Sequence, residues 1–241
     1  DYDRWQQNGL EGWSYAHVLP YFRRAETFED GESTWRGGEG PLHVHRGRAS
    51  DPVYDAFLGA APELGYAAND DYNGAAQEGF SRVQFTVQAG RRCSAARAYL
   101  HPAIARGNVS LRTRVHVTRV LMQGTRAVGV EYLQDGRRFE ARCSGEVILA
   151  AGAINSPQLL MLSGIGPAAH LGAMGIAPCV DLPSVGQNHQ DHPAVRLGFL
   201  RAVPSTVQGR LRLDRLALSM AQAYCFGTGF AAEPPAGTTA G

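Results

Sequence analysis

The sequence contains no lysine: all 23 of its basic residues are arginine, set against 22 acids for a formal charge of +1. Arginines and acids are interspersed rather than blocked, which argues against a basic arm for a phosphate backbone, so nucleic acid is not an expected partner. No apolar run approaches the ~20 residues that a membrane-spanning helix needs, and no transmembrane segment is expected in the chain. Cysteine is scarce as well. Cys93, Cys143, Cys179 and Cys225 stand far apart without a C-x-x-C pair, which disfavours a zinc site or a disulfide framework and leaves reduced, buried thiols as the expectation. The opening residues, Asp1 to Trp5, carry neither an initiator methionine nor a charged-then-apolar leader pattern. The chain is therefore expected to begin mid-protein, and the expected location is the cytoplasm, with membrane association through other parts of the protein as the alternative.

What the chain does have is length, 241 residues, with 44% hydrophobic side chains and 29 glycines, the composition of an α/β chain with room for one or two domains. Ser14 predicts a helix cap before Tyr15 to Glu26, and Asp51 with Pro52 predicts another before a helix that stops at Gly65. Leu42 and Val44 alternate with His43 and His45, which predicts a strand with the histidines on a solvated face. Val83, Phe85 and Val87 predict a further strand, Ser94 caps a helix through Ile104, and Leu211 to Phe226 reads as an amphipathic helix before a mobile tail over 227–241. From Asn108 the period is two: a strand at Val109 and Leu111, then an antiparallel meander broken at Gln123-Gly124 and Asp135-Gly136. Val147 to Ala153 lacks alternation and predicts a strand buried on both faces within a parallel sheet. Ser156 and Pro157 then open a helix that stops at Gly164.

Two stretches satisfy G-x-G-x-x-A, at Gly164 to Ala169 and Gly227 to Ala232. Neither stands between a strand and a helix N-terminus with an acid to follow, so neither is taken as a dinucleotide fingerprint. The strand-turn-helix at Ile148 to Leu162 is the better candidate. Side chains no larger than methyl at Ala150, Ala151, Gly152 and Ala153 admit either tight helix-on-sheet packing or close approach of a flat cofactor and its phosphates, and the residues alone weight these equally. His189, Asp191 and His192 lack a third histidine at ligand spacing, so a polar turn is favoured over a metal site. Ser94, Ser156 and Ser163 lack a G-x-S-x-G elbow, which leaves an acyl-transfer hydrolase without support. Arg91, Arg92 and Arg97 are expected to be solvated.

The run Gly152 to Pro167, GAINSPQLLMLSGIGP, resembles the second signature of the glucose-methanol-choline oxidoreductases, a family of FAD-dependent enzymes. Collinear pieces extend the resemblance over about residues 1–230: Asp1 to Trp5, Trp13 to Phe22, Asp71 to Phe80, and Leu182 to His192. It is nearest to the choline dehydrogenase branch. The resemblance implies an α/β fold with α+β elements: an incomplete FAD-binding domain holding a parallel strand and an antiparallel meander, plus part of a substrate-binding domain. It assigns residues 1–44 to an extended FAD-domain or connecting segment, 45–88 to the substrate domain, 89–188 to the FAD-binding domain and 189–241 to the start of a second substrate-domain segment. It implies FAD as cofactor, a small-molecule alcohol as substrate and an electron acceptor that the sequence does not identify. Hydride would pass from the alcohol carbon to the flavin while a histidine takes the hydroxyl proton. That histidine is expected beyond Gly241, so His170, His189 and His192 are not nominated, and no catalytic residue is named. Val117 is carried over as a backbone contact to the adenine end of FAD, and Ala151 and Gly152 as cofactor neighbours. The alternative expectation is a catalytically inactive stand-alone remnant of such an enzyme.

Overall fold

The computed structural model describes residues 1–48, 51–193, 195, 202, 209–232 and the backbone of 238–240. By internal contacts the chain divides into two compact units, Asp1–Val109 with Phe199–Gly241, and Ser110–Gly198. No helix among the described residues is long and apolar enough to cross a membrane.

The first unit opens with helices α1 (Tyr2–Gln7) and α2 (Tyr15–Ala25). Helix α2 starts after Ser14 as predicted, but the amide of Tyr15 donates to Asp3 Oδ1 at 2.9 Å, while Ser14 Oγ bonds His17 Nδ1 at 2.6 Å. Strand β1 (Glu26–Phe28) runs parallel to β2 (Leu42–Arg46), which pairs antiparallel with β4 (Gln84–Phe85). A parallel pair needs a crossover. The glycine-rich loop supplies it by pressing against the chain it crosses: a Cβ on Gly37 would strike the Arg23 and Glu26 carbonyls, and one on Gly40 the Ala25–Glu26 backbone.

The buried polar centre of this unit is Arg36, 3% exposed. Its Nε and Nη2 donate to Glu26 Oε2 and Oε1 at 2.9 and 2.6 Å, and its Nη1 donates to Asp71 Oδ1 at 2.6 Å and Gln84 Oε1 at 2.9 Å. The guanidinium also lies 3.7 Å from the ring centroid of Phe28, with Arg46 at 5.1 Å. One side chain thereby ties β1, the glycine-rich loop, the Asp71 turn and β4 together. A buried guanidinium is tolerated because its fork is matched by carboxylates.

Helix α3 (Pro52–Glu63) follows its predicted signals: Asp51 Oδ1 accepts the Val53 amide at 3.0 Å, Pro52 takes the first turn, and Gly65 stops it at φ +82°. The alternation at Val83 to Val87 resolves into two short pieces, β4 and β5 (Val87–Gln88), preceded by a separate strand, β3 (Phe80–Arg82). Strand β5 turns through Ala89 and Gly90, both at positive φ, to pair with β6 (Arg91–Arg92). Ser94 Oγ accepts the Arg97 amide at 3.3 Å at the head of a π-helical turn, Ala96–Leu100, that continues into α4 (His101–Ala105).

The second unit is built on the predicted meander: β7 (His116–Gln123), β8 (Arg126–Gln134) and β9 (Arg137–Arg142), in that spatial order. Asp135 and Gly136, at φ +50° and +73°, form the two-residue turn that a right-twisted hairpin selects. Helix α5 (Gly152–Leu162) lies against β7 and leads through Gly164 into β10 (Ile165–Gly166), parallel to β11 (Val180–Asp181), with α6 (Ala168–Ala173) between them.

Several expectations are corrected. The run from Val147 is not a buried strand: it is unpaired, Ile148 is 82% exposed, and no partner strand lies beside it among the described residues. The stretch at Val109 and Leu111 is likewise unpaired and exposed. Helix α5 begins at Gly152, four residues before Ser156, whose Oγ instead accepts the Ala151 amide at 3.0 Å. Of the four thiols, all free, only Cys93 is buried; Cys143 is half-buried, and Cys179 and Cys225 are exposed. After α7 (Leu213–Phe226), capped by Gly227 at φ +65°, the expected mobile tail contains a 3-10 turn (Phe230–Ala232) and β12 (Thr238–Ala240), which pairs with β3. Residues 233–237 and 241 of that tail lie outside the described residues.

Candidate cofactor-binding site

In the second unit, β7 is an edge strand among the described residues, with β8 on one side. An edge strand offers backbone N–H and C=O groups that no ladder uses, the requirement for a main-chain contact to a ligand. Val117 sits near the start of this strand, half-buried and opposite Tyr132. The register slips between Val117 and Arg119, leaving Thr118 as an extra residue on β7.

That slip is organised by Glu131, 8% exposed. Thr118 Oγ1 donates to Glu131 Oε1 at 2.6 Å, Arg119 Nη2 lies 3.1 Å from Oε2, and Arg138 Nη1 lies 3.6 Å from Oε1. The Thr118 hydroxyl, the largest influence, lowers the carboxyl below its ordinary range; burial, next in size, opposes it, and the Arg119 and Arg138 guanidiniums reinforce the lowering. Next to Glu131 on β8, Tyr132 stacks on Phe139 of β9 with centroids 5.6 Å apart, and Arg112 bonds its hydroxyl.

Helix α5 brings the second predicted segment. Ala151 and Gly152 form its exposed N-terminus. Gly152 has φ +86°, and a Cβ there would meet nothing within 4 Å, so the backbone is open to an approaching group. At the other end, Ser163 Oγ accepts the Val120 amide at 2.8 Å and donates to the Leu159 carbonyl at 2.6 Å, joining α5 to β7. The edge strand, the bare helix N-terminus and the small side chains fit a nucleotide cofactor: backbone donors for its anionic and ring atoms, and no bulk to exclude it.

The remaining candidates are not gathered into this arrangement. His43 and His45 are half-buried rather than solvated, and they line a cavity of about 410 Å³ with Glu29, Arg48 and the Gly227–Gly229 loop. In the first glycine match, Gly164 is the turn after α5 and Gly166 lies in β10; Gly227, the start of the second, caps α7. His189, Asp191 and His192 are exposed, and Asp191 Oδ1 accepts the amide of the adjacent His192 at 2.8 Å, without a regular turn. Arg91 Nη2 donates to the Tyr224 carbonyl at 3.3 Å. A larger cavity of about 760 Å³ in the first unit is lined by Tyr15, Trp35, Tyr72, Asn73 and Phe85, with Arg36 in its wall. Neither Arg36 nor Ser163 is marked by the sequence: an arginine in a glycine-rich loop reads as solvated, and a serine before a stop glycine reads as a helix end.

Residues 1–194 match the GMC oxidoreductase family. The chain is 55% identical over 192 residues to mitochondrial choline dehydrogenase of Mus musculus, covering 80% of this chain and 32% of that protein. It is 47% identical over 230 residues to oxygen-dependent choline dehydrogenase of Brucella ovis, covering 95% of this chain and 42% of the relative. Among solved structures, an FAD-dependent oxidoreductase from Chaetomium thermophilum superposes with a TM-score of 0.84 at 28% identity, over 98% of this chain and 44% of that one. The chain thus spans about a third to two-fifths of the curated relatives it matches. With the match running through the edge strand, the bare helix N-terminus and the Ser163–Gly166 turn, the chain belongs to the GMC oxidoreductase family.

Proposed function

We propose that this chain is the central part of an FAD-dependent oxidoreductase that oxidises the CH–OH group of a small alcohol, in the manner its choline dehydrogenase relatives are named for. The observation that carries the reading is the open backbone at Ala151–Gly152 on the same unit as the edge strand bearing Val117. The main chain at Val117 meets the adenine end of the dinucleotide, and the α5 N-terminus lies beside it, where unpaired amides favour negative charge. FAD, when bound, supplies the acceptor for the hydride that leaves the alcohol carbon. This chain holds and orients the dinucleotide, and the residues that take the hydroxyl proton are assigned elsewhere in the protein. Segments 45–88 and 189–241 are assigned to the substrate-binding side, and 1–44 and 89–188 to the FAD side. The electron acceptor is left unassigned.

The test is the visible spectrum of the purified full-length protein. Flavin bands that persist through gel filtration and bleach on anaerobic addition of a primary alcohol such as choline support the reading. A colourless protein that takes up no added FAD overturns it and favours the inactive remnant.

A further inference from the structure

The junction between α5 and β7 is a packed helix-on-strand contact, tied at the helix C-terminus by a hydrogen bond. Beside it lies an open cavity of about 430 Å³ lined by Val120, Leu121, Leu162, Ser163, Gly164 and Cys179. The direct tie is Ser163: its Oγ accepts the amide of Val120, a residue 5% exposed on the edge strand, and its proton goes to the Leu159 carbonyl one turn back in the helix. The hydroxyl is presented from a rigid seat. The Ser163 amide donates to the Leu159 and Leu160 carbonyls at 3.1 and 2.9 Å, and the Gly164 carbonyl accepts the amides of Cys179 and Val180 at 2.7 and 3.1 Å. A Cβ on Gly164 would stand 2.7 Å from the Ala177 carbonyl, so the backbone after the serine has one path.

We propose that Ser163 is a positioning residue for the cofactor: the hydrogen bond from Val120 to its hydroxyl fixes the angle between α5 and β7, and so the spacing between the main chain at Val117 and the backbone at Ala151–Gly152. The inference rests on the assignment of those three residues to FAD. The lever arms make one bond sufficient. Val117 lies three residues along the strand, about 10 Å away, and Gly152 lies eleven residues along the helix, about 17 Å away. A pivot of about 3.5° at Ser163 moves the helix N-terminus by about 1 Å, enough to misplace hydrogen-bonding groups. Removing the hydroxyl also strands a buried amide on a strand edge, which the junction relieves by opening.

The experiment measures FAD affinity of the full-length protein stripped of flavin, for the matched pair S163T and S163V, which differ in a hydroxyl against a methyl, with V117P alongside. S163V is expected to bind FAD about tenfold more weakly, with faster hydrogen exchange at the Val120 amide, whereas S163T stays within roughly threefold of wild type. If S163V does not fold, S163A, which adds no bulk, takes its place. Wild-type affinity in the hydroxyl-less variant, or an equal loss in S163T, overturns the role of Ser163. Should V117P retain wild-type FAD affinity, the cofactor assignment itself has failed; should V117P weaken binding while S163V does not, only the positioning role has.

Discussion

At the scale of single residues, two buried charged groups organise the chain, and each is stable for a different reason. Arg36 donates four hydrogen bonds, to Glu26, Asp71 and Gln84. Glu131 is instead stabilised as an anion by one hydroxyl and two guanidiniums reaching in from β7 and β9. Because its folded value lies below its ordinary 4.5, Glu131 contributes stability that is fully present above that value and is lost as the pH falls through the folded one. E131Q is therefore expected to flatten the fall of thermal stability below pH 4.5, and T118V, which removes the largest stabilising contact, to shift that fall toward higher pH. Unfolding temperatures measured down the acid limb check this, and superimposable slopes for wild type and E131Q would contradict it. Neither group is legible in the sequence. A lone arginine and a lone glutamate acquire their roles only when residues 10 to 48 positions away, or on neighbouring strands, are brought to them.

At the scale of elements, legibility follows the range of the forces involved. Helix α3 and the meander match their predicted signals because a cap, a stop glycine, a two-residue turn and strict alternation act within a few residues. The segments at Val109–Leu111 and Val147–Ala153 do not, because a strand is defined by neighbours that its own sequence does not contain. Position 129 shows a close approach that periodicity conceals. Gly129 has φ +156°, beside the second register slip of the meander, and a Cβ there would run into the Ala141 carbonyl of β9. G129A is expected to cost about 1–3 kcal/mol by forcing β8 and β9 apart, read as a lower urea midpoint at unchanged slope. A midpoint equal to wild type would show that the sheet absorbs the methyl without strain.

At the scale of the whole molecule, the chain carries exposed apolar groups at functionally suggestive places: Ile148 at 82% and Ile154 at 74% exposure flank the bare turn at Ala151–Gly152. The composition of that turn allowed either packing or cofactor contact, and no residue packs where a Gly152 side chain would stand. Which of the two readings the turn serves is decided by whether FAD touches it. The most direct measurement is amide hydrogen exchange on the full-length protein with and without FAD, resolved to short peptides. The account predicts slowed exchange at residues 116–118 and 151–153 when FAD is added. FAD binding with exchange unchanged at both segments would contradict it.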